Sequence, residues 1–278
     1  MLRTPIKIRP VSATLNAKRS RPSGDQYQVA SVSKALELLV CFSIDSPVWA
    51  LSDIARRAQV PKSTAHNLLR TLQQFDLVRQ DPQSRHYRVG PRALELGLLF
   101  AKRSGELAQS RPVLRRLVEV TGETCKLGML SNDQVVIIAS LESAFQLHTR
   151  GDIGTRWSLH STSLGKAILA ALTDEEAREI LERTGMSVHT RHTIHTWAGM
   201  QKELRAIRER GYALDMEENE LGVRCVAAAV ANPLRGTVAA VSVSGPRGRL
   251  VDERILELTK EVIAAARSIT ATVQEEIA

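Results

Sequence analysis

Two sets of residues in this chain have the types and spacing to do chemistry. The first is Ser63, His66, Asn67 and Arg70, which recur at i, i+3, i+4 and i+7 and so share one face of a helix. A hydroxyl, an imidazole, an amide and a guanidinium are groups that read base edges and phosphates in the major groove of DNA. The second set is Asp215, Cys225, Ser242 and Ser244, polar residues that interrupt apolar β runs or stand at their ends. Ser242 and Ser244 are two apart on one strand, so their hydroxyls point to the same side of a sheet. Turned inward, they line a pocket; turned outward, they are ordinary exposed serines. The stretch HSTSLG, residues 160–165, precedes a helical run and offers free backbone N–H groups at a helix N-terminus, a seat for a carboxylate. Together these make a small site for an anionic or hydroxylated metabolite.

Two further chemistries find less support. Cys225 as nucleophile, His160 as base and Asp215 as orienting acid would make a catalytic trio, but no spacing holds the three together. A thiol flanked by Val226 and Ala227 in an apolar strand reads as buried and inert. No catalytic residue is assigned, and no enzyme is expected. His189, His192 and His195 recur every third residue with no helical pattern around them, which fits a surface loop better than a metal site. No metal or cofactor is expected.

The first set needs a helix held at a fixed angle. Leu51, Ile54, Ala55 and Ala58 form one apolar stripe; Ala65, Leu68, Leu69 and Leu72 form a second, which Phe75 continues. Only Gln59 and Val60 lie between, and Pro61 suits the first turn of the second helix. Two short helices joined by so tight a turn make a helix-turn-helix unit. The turn DPQS and the strand-like RHYRV then read as a β-hairpin wing bringing Arg85, His86 and Arg88 to the DNA backbone. Upstream, Val32, Ala35, Leu36, Leu39 and Phe42 mark a supporting helix with Ser31 as N-cap, and Trp49 plugs the core from a loop.

Charge is distributed to match. The chain of 278 residues has a net charge of +8, yet residues 1–105 carry 17 Lys and Arg against 7 Asp and Glu, while residues 106–278 carry 21 against 23. A basic excess confined to the helix-turn-helix part is the footprint of a DNA-binding module. Residues 1–28, with six basic residues against Asp25 alone, read as a basic disordered tail or an arm on DNA phosphates. Three scattered cysteines without a CxxC pair imply reduced thiols. With no signal peptide and no apolar run of membrane-spanning length, a soluble cytoplasmic protein is expected.

After the wing, Gly90-Pro91 opens a helix through Arg103 whose Leu94, Leu96, Leu98, Leu99 and Phe100 spread around most of its circumference. Such a helix must be covered on more than one side. It packs most simply against its counterpart in a dimer; burial within one chain is the alternative. Beyond it, the spacing predicts a helix from Leu107, strands over Cys125–Leu130, Val135–Leu141 and Phe145–Thr149, and helices over Leu164–Leu172, Asp174–Arg183 and Trp197–Arg210. A β-hairpin, Val223–Ala231 and Thr237–Ser244 joined at NPLRG, and a last helix from Ile255 complete the chain. The fold class is α+β with an antiparallel sheet.

From about Val29 onward, the chain resembles the isocitrate-lyase-regulator (IclR) family of bacterial transcription regulators. The segments that carry the resemblance are PKSTAHNLLRTL, LHSTSLGKAILA and, most specifically, GYALDMEENELGVRCVAAAV. After the basic tail at 1–28, which departs from the family's pattern, the resemblance implies three segments: a winged helix-turn-helix domain at 29–90, a linker or dimerisation helix at 91–106 and a GAF-like effector-binding domain at 107–278. It implies DNA contacts from Lys62, Ser63, Thr64, His66, Asn67 and Arg70, with Arg85 and Arg88 on the wing. Carried residue by residue, its effector contacts fall on Ser163, Leu164, Asp215, Cys225, Ser242 and Ser244. Its partners would be a palindromic DNA operator, a small organic acid and further copies of the chain as homodimer or homotetramer. The run GDIGTRWSLHSTSLGKAIL looks most like members that respond to sugar-derived keto acids. Ala229 replaces a usual proline, and His66-Asn67 stands where the family often has an aromatic or His followed by Arg.

Overall fold

A computed structural model describes residues 29–103, 105–232 and 237–275, which fall into two units dividing near residue 104. The tail expected at 1–28 and the turn at 233–236 lie outside the described residues.

In the N-terminal unit, α1 (Ala30–Val40), α2 (Leu51–Arg57) and α3 (Lys62–Gln74) pack around Leu38, Ile54, Ala55, Ala58, Ala65, Leu69 and Leu72. Both stripes of the helix-turn-helix face this core. The turn is made by Gln59, whose φ of 54° places it in the left-handed region, while Val60 N–H returns to Ala55 O at 3.0 Å. Asp53 in the first turn of α2 and Arg56 and Arg57 in its last suit the helix dipole. A three-stranded antiparallel sheet in the order β1 (Val48–Trp49), β3 (Tyr87–Val89), β2 (Val78–Gln80) closes the unit, with Val78 and Tyr87 buried against the helices. From Gly90 the chain enters α4 (Pro91–Arg103). A side chain at Gly90 would strike the Asp76 carbonyl, so glycine alone fits this approach.

Four expectations for this unit are corrected. The cap of α1 is Val29, without a side-chain bond, and Ser31 lies inside the helix. Of the expected stripe, Ala35, Leu39 and Phe42 pack against the core, whereas Val32 and Leu36 are exposed and Leu38 is the fully buried contact. Phe75 is also exposed, because α3 ends at Gln74 and Phe75 turns away as its C-cap. Trp49 belongs to a strand; it does join the core, and its Nε1 donates to the carbonyls of Cys41 and Ser46, both at 3.1 Å. The large side chains of α4 named above are not buried by the N-terminal unit's own core.

The C-terminal unit is built on a six-stranded antiparallel sheet in the order β6-β5-β4-β9-β8-β7. The strands are β4 (Thr124–Ser131), β5 (Gln134–Leu141), β6 (Arg156–Trp157), β7 (Ala213–Met216), β8 (Val223–Asn232) and β9 (Thr237–Pro246). Helices α5 (Gly105–Thr121) and α9 (Asp252–Glu275) cover one face, burying Leu117, Leu127, Val226, Val243, Leu258 and Val262. On the other face, α6 (Ser163–Ala170), α7 (Asp174–Thr184) and α8 (Trp197–Arg210) pack over Val135, Ile137, Ala227 and Ala240. Local signals start these helices: Thr173 and Glu176 form a capping box at α7, and Thr196 caps α8. At the start of β4 the side chains alternate: Cys125 and Leu127 face α5 and α9, and Lys126 between them faces α6.

The expected strand Phe145–Thr149 is absent. The segment is held as a loop by side chains instead: Arg249 stacks on Phe145 at 4.6 Å and donates to Leu147 O at 2.9 Å, and the Thr149 hydroxyl reaches Ser244. The strands β6 and β7 carried no sequence signal, being two and four residues long. Among the described residues, no helix is long and apolar enough to cross a membrane.

Candidate functional site

On α3, the side chains of Lys62, Ser63, Thr64, Asn67 and Arg70 are exposed and His66 is half-buried. The buried Ala65, Leu69 and Leu72 hold the opposite face, so the core fixes which side chains point out. Among the described residues, neither Lys62 nor Arg70 enters an ion pair. In the wing, Asp81 accepts the Ser84 and Gln83 N–H groups at 2.7 and 3.1 Å and caps the turn. Those bonds, led by the Ser84 N–H, hold its carboxyl below the usual range. Arg85 and Arg88 are exposed beyond it. Arg79, which the sequence reading passed over, stands directly opposite Arg88 across β2 and β3. Facing like charges destabilise a strand pair, so their retention suits a surface that meets a polyanion.

The second site is a cavity of about 480 Å³ in the C-terminal unit. Its floor is the sheet, its end wall the start of α6, and its rim the loops 147–150 and 219–223. Ser163, Leu164, Asp215, Cys225, Ser242 and Ser244 all line it. Strand register explains the convergence: Asp215 pairs with Cys225 and Cys225 with Ser244, a row running across three strands. Thr162 caps α6, its hydroxyl accepting the Gly165 N–H at 3.1 Å, which leaves the Ser163 and Leu164 amides at the cavity end. A side chain at Gly165 would strike the Leu159 backbone, so the helix start is seated tightly.

The charges in this cavity are unusual. Burial raises the Asp215 carboxyl to about 7, although its Oδ1 accepts the N–H groups of Glu218 at 2.7 Å and Asn219 at 3.3 Å. Burial also pushes the Cys225 thiol well up, with Asp215 adding to the effect and Lys126 opposing it. A thiol so held is a poor nucleophile. His160 is not brought to it: the ring bonds the Ser187 carbonyl at 2.9 Å and stacks on His189 at 5.6 Å, outside the cavity lining. Behind the wall, Lys166 pairs with Glu218 at 2.5 Å and lies 3.7 Å from Glu203.

In the cavity, the residue missed from sequence is Lys126. It is 1% exposed, yet it lines the cavity and donates to Ser244 Oγ at 2.9 Å and Thr149 Oγ1 at 3.2 Å. Burial lowers its pKa. The available signal was its parity with Thr124 in an otherwise apolar strand.

Residues 31–82 match the IclR helix-turn-helix domain, and residues 102–271 match the bacterial transcriptional regulator IclR C-terminal domain. The chain belongs to the IclR family. The transcriptional repressor IclR of Escherichia coli K12 is 35% identical over 245 residues, covering 87% of this chain and 89% of that protein. An IclR regulator from Alicyclobacillus acidocaldarius shares the fold with a TM-score of 0.79 and 28% identity, over 88% of this chain and 99% of that one. At 20% identity, an IclR homolog of Microbacterium hydrocarbonoxydans solved with 4-hydroxybenzoate shares the fold with a TM-score of 0.75, over 88% and 100% of the two chains. Members of the IclR family are transcriptional regulators rather than enzymes, and this one has the family's DNA-binding domain and its C-terminal domain.

Proposed function

We propose that this protein is a repressor whose hold on a palindromic operator is set by a small organic acid. The observation that carries the proposal is a cavity that brings Asp215, Ser242 and Ser244 together in a chain that also bears a helix-turn-helix. On this reading Ser63, His66, Asn67 and Arg70 contact base edges, Lys62, Thr64, Arg85 and Arg88 contact the DNA backbone, and Arg79 joins them. Two recognition helices reach two half-sites because the chain dimerises through α4, whose exposed Leu94, Leu98, Leu99 and Phe100 need a cover. A tetramer would pair two such dimers.

Ser163, Leu164, Asp215, Cys225, Ser242 and Ser244 hold the acid, and sugar-derived keto acids are the class to try first. Binding changes the placement of the two recognition helices through α4. Such coupling is typically worth ~1–3 kcal/mol, or about 5–150-fold in operator affinity. The test is gel retardation on a site selected by the protein from a random duplex pool, with and without each acid. A specific site whose affinity shifts at least fivefold with one acid is expected. Selection of no specific site, or a site indifferent to every acid that binds, overturns the proposal.

A further inference from the structure

We propose that Lys126 takes the carboxylate of the ligand, and that the ligand is a small monocarboxylic acid whose hydroxyl or oxo group reaches toward Asp215. This rests on reading the C-terminal cavity as the effector site.

The two buried lysines of this unit are equally inaccessible, at 1% exposure, but differently partnered. Lys166 has the carboxylates of Glu218 and Glu203. Lys126 has two hydroxyls and the face of Trp157, whose ring centre is 5.2 Å from Nζ. Among the described residues, no ion pair involves it. An ammonium taken out of water without a counter-charge is costly to keep, and here it lines an open cavity. The surroundings are built around it as well. A side chain at Gly151 would strike the Lys126 stem and the Trp157 ring, so that glycine lets the rim loop lie directly on the lysine.

The opposite end suits an anion less. Amides at the start of α6 attract one, but Cys225, which lines the cavity with Ser163, is the strand partner of Asp215. An anion at that end meets the Asp215 carboxyl, whereas an anion at Lys126 meets an uncompensated positive charge. Cys225 lies between the poles.

Register also sets the ligand's length. Ser244, which holds the ammonium, and Asp215 are two strands apart, with Cys225 between them. At about 4.8 Å per strand, the ends stand roughly 10 Å apart. A hydrogen bond of about 2.8 Å at each end leaves on the order of 4 Å for the ligand, the span of a three- to five-carbon acid.

The test uses the full chain and a panel of 2-oxo, 2-hydroxy and 3-hydroxy monocarboxylates of three to six carbons, each beside its primary amide. Affinity is measured by calorimetry and thermal shift. In the unaltered protein at least one acid should bind ten times or more tighter than its amide, a comparison that needs no substitution. Lys126→Met should lose tenfold or more for that acid, and Lys126→Arg should lose less. Equal affinity for acid and amide, or binding by folded Lys126→Met within twofold of the unaltered protein, overturns the role of Lys126 alone. If no acid binds the unaltered protein, the effector reading itself falls, and this inference with it.

Discussion

The two units of this chain treat charge in opposite ways. In the N-terminal unit, every buried residue of the described core is apolar apart from the Tyr87 hydroxyl, and Lys62, Arg70, Arg85 and Arg88 stand in solvent. In the C-terminal unit, Lys126, Lys166, Asp215 and Glu218 are all buried. The difference is physical before it is functional. A surface cation is already hydrated and adds little to stability, so it is free to be spent on a polyanion. A buried charge destabilises the fold unless something compensates it, so its retention needs a structural partner or a ligand. Functional charges are therefore exposed and unpaired in one half, buried and incompletely paired in the other.

The sharpest way to break this contrast is to remove one buried partner. Lys166→Met would leave Glu218 with its Oε2 already lacking a partner and its Oε1 newly stripped of one. We expect a loss of about 3–5 kcal/mol in denaturant unfolding, with most of it recovered when Glu218→Leu is added. A loss below about 1 kcal/mol would mean that the wall behind the cavity does not depend on its charges.

Asp215 offers the next largest effect. Its carboxyl holds a proton to about 7, against 3.8 for the free group. Between those values the folded chain keeps a proton that the unfolded chain releases, so this residue makes the fold less stable as pH rises through the window. Asp215→Asn keeps an oxygen for the Glu218 and Asn219 N–H groups and has nothing to ionise. Stability of this variant relative to the unaltered protein should therefore climb by on the order of a few kcal/mol from pH 4 to pH 8. A flat difference across that range would show that the carboxyl is ionised at low pH and paired.

How much of this was legible in the sequence follows the same division. The helix-turn-helix could be read because two stripes at helical spacing, a turn too short for anything else and a polar face repeat one message. The effector row could be read only in part. Ser242 and Ser244 show their common face through spacing two, but Asp215 joins them through a strand of four residues, whose pairing is a long-range fact. Lys126 was hidden because a lysine between Cys125 and Leu127 reads as a solvent-facing interruption. Only the sheet order, with α6 covering that side, turns it inward. The loop at 145–149 was misread for a related reason: its alternation is real, but its partners are Arg249 and Ser244 rather than a neighbouring strand.

On the exposed side the effects should be smaller for the fold and confined to DNA. Arg70→Ala is expected to cost about 1–3 kcal/mol of affinity for a selected site at fixed salt. Its unfolding free energy should stay within about 0.5 kcal/mol of the unaltered protein. Unchanged affinity would remove Arg70 from the recognition face.

The smallest effect tests the contrast most directly, because stability and binding should move in opposite directions. Arg88 faces Arg79 across the wing, and Arg79 is held by Asp76 at 3.1 Å. Arg88→Ala removes a like-charge contact, so the fold should gain a few tenths of a kcal/mol, in line with the size of cross-strand pair terms. The same change removes one phosphate contact, so the slope of log affinity against log salt should become shallower by about 1, with affinity falling uniformly across DNA sequences. A steady slope would take the wing off the backbone. A loss of stability would mean that the arginine pair is held together by packing of its stems, and that the wing follows the logic of the buried half.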